Sequence, residues 1–341
     1  MHQAKTGSFK KFIKRLLIFL LVTLLLLLIA LYGVIRVFET GPSETARNLF
    51  VRSMNETSAL KFVPRICLSE EEVSAILSNN GAGEISEMDV TLLSSNQEDL
   101  FEEEDIWATQ DEDGDGIILE EVHGSTYSGY MMIIKDPMRL KLAIDVEHYG
   151  YKGHTVEEFC QMFNAVACIN GGGFEDTNGQ GDGSIPDSTV VYEGEFLNNS
   201  GTKYGFVGID DQGNLHVDCQ TSTAIKEANI QYGCAYGPIL VQNGEIVEGL
   251  REDYSGLNPR TAIGQRADKS ILLLVIDGRH VVSLGAQYSD LAHVMLEYGA
   301  VNAGNMDGGS SSLMYYNGEY VNNKAAVIGV RNVPTAWIIT E

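Results

Sequence analysis

From Leu16 to Ile35 the chain runs without a single charged residue, and this stretch constrains the molecule more than any other. Leu, Ile, Val, Phe and Ala dominate it, and about 20 apolar residues wound as one helix span the hydrocarbon core of a bilayer. Lys5, Lys10, Lys11, Lys14 and Arg15 precede the run, and only Arg36 follows closely. That asymmetry keeps the N-terminus cytoplasmic and sends everything after the run across the membrane. A cleaved signal peptide shares the basic start. Its apolar region is usually shorter, however, and Tyr32-Gly33-Val34-Ile35-Arg36 is a poor cleavage site. The expectation is therefore a single-pass signal anchor: residues 1–15 a basic cytoplasmic tail, 16–35 the transmembrane helix with the lipid bilayer as partner.

The remainder of the 341 residues suffices for one large domain with extras or for two ordinary ones. The formal net charge is −24. Six of the 23 Lys and Arg lie at or before Arg36, where there is no acid, so the exported part carries 17 bases against 47 acids, a net −30. Such a surface repels nucleic acid, and a phosphate-bearing ligand would need a local basic focus. The five cysteines, Cys67, Cys160, Cys168, Cys219 and Cys234, show no Cys-x-x-Cys spacing for zinc or redox work. Cys160 with Cys168, or Cys219 with Cys234, could pair in an oxidising compartment, and buried free thiols are an equal alternative.

Residues 36–114 read as a juxtamembrane helix followed by an acidic linker. Ser69-Glu70-Glu71-Glu72 is a capping box opening a short helix that stops near Asn79-Asn80-Gly81. Glu98–Asp115 is strongly acidic, and the domain boundary falls there. Within it Asp111, Asp113 and Asp115 copy the first half of a calcium loop, but the twelfth position, where a bidentate Glu is required, falls on Val122. An acidic turn is the competing reading.

From residue 115 the texture is short apolar strands broken by Gly-rich turns. Tyr130–Lys135 and Arg139–Ile144 flank Asp136-Pro137 like two strands about a turn. Thr155-Val156-Glu157-Glu158 caps a helix, and Ala165–Ile169 reads as a buried strand. Val207–Ile209 with Leu215–Val217, and Pro238–Val241 with Glu245–Val247, read as hairpins, the second through Asn243-Gly244. Ile271–Ile276 reads as a central strand, and Ser289 as the cap of a helix to Tyr298. The fold class expected is α+β, a large mainly antiparallel sheet with a few packed helices, preceded by an N-terminal transmembrane helix.

Four segments share one design, an apolar strand joined to a turn or strand end with a polar residue beside Gly or Pro. They are Cys168–Phe174, Asn258–Gly264, Val275–Arg279 and Asn305–Ser310. Together they bring an amide, two Arg and two Asp, the parts of an acid–base pocket for an anion. Each has a plainer reading: Asp277-Gly278 and Asn170-Gly171 as turns, Arg260 as a surface ion-pair partner, Asp307 as a turn residue. The histidines are scattered singly, without His-x-x-x-His or His-Glu-x-x-His spacing, and no Gly-x-Ser-x-Gly or Gly-x-x-x-x-Gly-Lys occurs.

In these four ordered motifs the chain resembles the phosphodiester glycosidase family, whose pattern is Asn-Gly-Gly-Phe, Arg-Thr-Ala-Val-Gly, Asp-Gly and Asn-Leu-Asp-Gly-Gly-Gly-Ser. Here they stand as Asn170–Phe174 with one extra Gly, Arg260–Gly264 with Ile263 for Val, Asp277-Gly278, and Asn305–Ser310 with Met306 for Leu and Ser310 for the third Gly. The resemblance implies a glycosidase domain over residues 115–341 that hydrolyses sugar-1-phosphodiesters, of the N-acetylglucosamine-1-phosphodiester type, in cell-surface glycopolymers, exopolysaccharide or other cell-envelope glycans. It implies Asp307 as nucleophile or general base with Asp277 as its carboxylate partner. Arg260 and Arg279 would grip the phosphate with paired donors. The backbone N–H groups of Gly308, Gly309 and Ser310 would complete that cradle. Asn170, with Gly171, Gly172, Thr261 and Asn305 nearby, would meet the sugar. No cofactor is required, and calcium at Asp111, Asp113 and Asp115 would be an addition. Two rivals remain: a non-catalytic glycan-binding or envelope-assembly protein on the same fold, and a calcium-dependent adhesion module.

Overall fold

The computed structural model of the chain describes residues 3–78, 83–93, 109–111, 113–176, 181–201, 205–250, 254–325 and 330–341. Its first helix, α1 (Gln3–Thr40), contains the window Phe9–Thr40, long and apolar enough to cross a membrane and almost wholly unburied by the rest of the chain. From Leu16 to Ile35 apolar side chains surround it, so that stretch has no polar face to turn to water. Helix α2 (Glu44–Asn55) folds back on its end. Ser43 Oγ caps it by accepting from Ala46 N–H at 3.2 Å, and the rings of Phe38 and Phe50 stack at 5.2 Å. Helix α3 (Glu70–Leu77) starts at the Ser69–Glu72 capping box the sequence announced. Its expected stop at Asn79-Asn80-Gly81 lies outside the described residues, as do 98–108 of the acidic stretch.

The part of 36–114 that is described does not stand off as a spacer. Arg52 Nη1 donates to Tyr254 O at 2.9 Å, Gln242 exchanges hydrogen bonds with Ser86, and Met88 is buried beside Val301. Residues 44–78 and 83–93 thus lie along the domain as a strap.

Among the described residues the domain holds three antiparallel sheets. The seven-stranded sheet runs, in spatial order, Ile117–His123, Ser128–Ile134, Ile271–Ile276, Arg260–Arg266, Ala300–Met306, Ile239–Gln242 and Glu245–Ile246. Ile271–Ile276 is apolar throughout because both its faces are buried. Ile271, Leu273 and Val275 enter the core shared with the other two sheets, while Leu272, Leu274 and Ile276 pack on the opposite side with Leu291 and Met295 of a covering helix. The second sheet is ordered Glu319–Tyr320, Met314–Tyr316, Ala167–Asn170, Ala336–Ile339, Leu140–Ala143, and the third holds Phe206–Asp210 and Leu215–His216 as the expected hairpin. Asn243 and Gly244 take φ of 54° and 78°, the left-handed pair that an Asn-Gly hairpin turn requires.

Two expectations shift. The strands flanking Asp136-Pro137 exist, but as Ser128–Ile134 in the first sheet and Leu140–Ala143 in the second. Asp136 Oδ1 accepts from Met138 N–H and Pro137 starts a 3-10 turn, so the chain crosses between layers instead of doubling back. The last of the remaining helices, α4 (Val156–Met162), α5 (Ser222–Glu227) and α6 (Tyr288–Glu297), is capped by Gln287 with Asp290 rather than by Ser289. All five cysteines are free thiols.

Candidate active site

Antiparallel register assembles the site. Arg260–Arg266 lies between Ile271–Ile276 and Ala300–Met306, pairing Arg260 with Ile276 and Thr261 with Met306. The start of one strand therefore meets the ends of two others at one edge of the sheet. Asn170, ending its strand in the second sheet, locks the seam: its Nδ2 donates to Asp307 O at 2.7 Å and its Oδ1 accepts from Thr261 Oγ1 at 2.8 Å.

At this edge opens a pocket of about 490 Å3, walled by Arg260, Arg279, Arg331, Asp307, Tyr236 and Glu56 among others. Arg260 is buried. Its ring neighbour Tyr288 lies 4.2 Å from the guanidinium, its Nε donates to Ala286 O at 3.1 Å, and its Nη2 donates to Glu56 Oε2 at 2.7 Å and to Gly256 O at 2.8 Å. Arg279 Nη2 donates to Asn258 Oδ1 at 3.1 Å. Burial and then the nearby Arg260 charge push its pKa down, so the site favours an added anion. Arg331 stacks on Phe174 and pairs with Asp176.

Asp307 faces these cations. Its carboxyl pKa is pushed up to about 6, because burial outweighs the nearby Ser311 hydroxyl, the charge of Arg331, the Tyr236 hydroxyl and the one hydrogen bond from Gly308 N–H. Tyr236 against it is raised in turn by burial and by the Asp307 charge. A carboxyl poised near neutral pH beside arginines can exchange protons and can sit opposite a bound phosphate.

Several residues expected at the site stand behind it instead. Asp277 is buried away from the pocket. Its Oδ1 accepts from Asn322 Nδ2 at 3.0 Å and Asn323 N–H at 2.9 Å, and its Oδ2 from Asn323 Nδ2 at 2.6 Å. Saturated this way, it holds the 322–323 turn rather than partnering Asp307. Asn170, Thr261 and Asn305 are buried too, Asn305 donating to Gly237 O at 2.8 Å, so they position Asp307 without lining the pocket. Gly171 and Gly172 are tied to Thr335, and the extra glycine makes Gly173 and Phe174 the residues that reach the pocket. Gly308, Gly309 and Ser310 do line it, yet the expected backbone cradle is largely spent. Gly308 N–H donates to Asp307 Oδ1 and Gly309 N–H to Pro259 O, while Ser311 N–H donates to Gly308 O to close the 3-10 turn Gly309–Ser311. The positive charge that faces the pocket comes chiefly from the guanidinium groups of Arg260, Arg279 and Arg331.

Sequence reasoning missed Glu56, Tyr236 and Arg331. Glu56 comes from the end of α2 and also accepts from Gly256 N–H and Asn258 Nδ2, each at 2.8 Å. Nothing local in its sequence announces a partner two hundred residues away. Tyr236 precedes Gly237-Pro238, a visible turn signal that carries no chemical one.

Asp111, Asp113 and Asp115 come together, with ligand atoms within 4.8 Å of one another, and none of them lines the pocket. Their oxygens already take the N–H groups of Gly116, Asp115 and Ile117, as a polar turn does. Val122 is buried within the strand Ile117–His123, so the loop runs into a sheet and not into the helix of an EF-hand.

Layered antiparallel sheets with an acid and arginines at one edge define an α+β domain with a pocket suited to an anionic substrate. The chain belongs to the phosphodiester glycosidase family, whose model matches residues 163–340. It is 30% identical over 178 residues to the SPbeta prophage-derived uncharacterized protein YomE of Bacillus subtilis, a match covering 50% of this chain and 27% of that protein. This chain thus spans about a quarter of that relative's length. Among solved structures it resembles the catalytic domain of zebrafish N-acetylglucosamine-1-phosphodiester α-N-acetylglucosaminidase, auto-inhibited by its pro-peptide. There the TM-score is 0.55 at 21% identity, over 66% of this chain and 82% of that one. A hypothetical protein from Synechocystis matches with a TM-score of 0.54 at 15% identity, over 66% and 62%. These two likenesses establish the fold.

Proposed function

We propose that the protein hydrolyses sugar-1-phosphodiesters of the N-acetylglucosamine-1-phosphodiester type in cell-surface glycopolymers or envelope glycans, exopolysaccharide included. In this reading α1 anchors it with the N-terminus cytoplasmic and the domain outside the cell. The observation that carries the reaction is Asp307, its carboxyl near pKa 6, facing Arg260, Arg279 and Arg331 across one pocket. Water adds to the anomeric carbon and gives its proton to the Asp307 carboxylate. The bond from that carbon to the phosphate oxygen breaks, its electron pair leaving on the oxygen, and a phosphate monoester departs. Such a leaving group needs little acid help, so the main demands are a base and cations on the phosphate. Arg260 and Arg279 meet the second demand with fixed forks of donors. Guanidinium charge supplies what a metal would, so the reading needs no cofactor, and calcium at Asp111, Asp113 and Asp115 would add structure rather than chemistry.

The test follows free reducing sugar released from methyl N-acetylglucosamine-1-phosphodiester by the full-length protein in nanodiscs, beside Asp307→Asn. The parent should turn over and the variant should lose about a thousandfold in kcat. Equal turnover by both would remove Asp307 from the chemistry. Tight binding of the diester without release by either would favour the glycan-binding alternative.

A further inference from the structure

A second cavity, of about 450 Å3, adjoins the first and is walled by Phe38 at the end of α1, by Leu49, Phe50 and Met54 of α2, and by Leu257 and Leu284 of the domain. The two cavities share Thr57, Asn258 and Arg279, so the guanidinium of Arg279 stands at their junction. Beyond Arg279 the chain carries Val281 and Val282, 100% and 86% exposed, on a tight turn closed by reciprocal backbone hydrogen bonds between His280 and Ser283. An apolar wall therefore leads from the end of the membrane-length helix to the cation at the edge of the polar pocket.

A phosphodiester carries two alcohols, and the pocket accounts for one, the sugar. We propose that the other is a lipid, a long alkyl or isoprenoid chain lying in the groove between α2 and the Leu257–Leu284 side of the domain. Its phosphate sits at Arg279 and its far end points toward the bilayer. The inference rests on the sugar-1-phosphodiester reading and sharpens its substrate to a lipid-linked glycan. A sugar or polyol in the groove would bury many hydroxyls against few partners, since only Ser53, Thr57, Asn258 and Arg279 are polar there. An alkyl chain loses nothing polar and gains at every methylene. Hydrolysis of the bond between the anomeric carbon and the phosphate oxygen would release the free glycan and leave a lipid monophosphate in the membrane. The reaction class that supplies the substrate is then glycosyl transfer onto a lipid phosphate.

The experiment uses full-length protein in phosphatidylcholine nanodiscs and N-acetylglucosamine-1-phosphodiesters of methanol, butanol, octanol and decanol. Each methylene buried should lower KM about fourfold until the groove is filled. The decyl diester should exceed the methyl one at least a hundredfold in kcat/KM, and Met54→Glu and Leu49→Glu should each reduce that ratio tenfold or more. Equal kcat/KM along the series overturns the lipid chain while leaving the reaction standing. Binding is measured separately by calorimetry with decyl phosphate and methyl phosphate, which requires no turnover. Preference for decyl phosphate that the Glu variants abolish supports the groove even if no diester is cleaved. Equal decyl phosphate binding by parent and variants overturns it, since the preference then comes from the bilayer. Absence of sugar release from every diester, with that preference intact, counts against the hydrolase reading alone.

Discussion

Asp307 and Asp277 look alike in sequence, an Asp-Gly at the end of an apolar strand, and the structure gives them opposite surroundings. Asp277 receives three hydrogen bonds from Asn322 and Asn323 and is sealed. Asp307 receives one from Gly308 N–H in the wall of a pocket, and burial dominates its acidity. The difference depends on residues 45 positions further along, so no local motif could reveal it. It predicts different failures. Asp277→Ala should cost about 3 kcal/mol, read by denaturant unfolding, because it strands buried donors. Any activity lost should track the unfolded fraction. Asp307→Asn should cut kcat about a thousandfold and yet raise the melting temperature at pH 8. A carboxyl with a folded pKa of about 6, above its ordinary 3.8, opposes folding most above pH 6 and not at all below pH 4, so at pH 4 the gain should vanish. As a general base Asp307 acts ionised, so kcat/KM should rise with pH through about 6 and level off above 7. A profile that instead fell through pH 6 would make it a proton donor.

Elements with local signals were legible: both capping boxes, the Asn243-Gly244 hairpin, and the strand at Ile271–Ile276. What stayed hidden were relations between distant elements, the sheet to which Leu140–Ala143 belongs and above all the docking of α2. Helix propensity and capping predict that α2 exists, but its end delivers Glu56 to Arg260 through tertiary packing alone. That carboxylate neutralises the guanidinium and competes with any anion for it. Glu56→Gln keeps acceptor and size while removing the charge. Methyl phosphate should then bind about tenfold tighter by calorimetry, since a like charge worth 1–2 kcal/mol is gone from the pocket. The variant should also unfold at a lower temperature, because Arg260 is left buried with its charge unpaired. Unchanged phosphate affinity would mean that Arg260 does not face the ligand.

Across the whole molecule, charge is distributed against its proposed substrate. The residues after Arg36 carry a net −30, while Arg260, Arg279 and Arg331 are gathered into one pocket where Glu56 and Asp176 offset part of their charge. An approaching phosphodiester first meets a repulsive field and feels the guanidinium groups only at close range. Salt screens the first far more than the second, because the Debye length falls from about 30 Å at 0.01 M to about 8 Å at 0.15 M. Hydrolysis of a short, soluble methyl diester should therefore speed up with salt, kcat/KM rising severalfold between 10 and 150 mM sodium chloride while kcat stays level. An active site steered by its arginines would show the reverse, a fall with salt. For a substrate held in the membrane by its own chain the encounter is lateral and within the bilayer. The salt effect should then shrink as the alkyl chain lengthens, and a decyl diester as salt-sensitive as the methyl one would place its capture in solution.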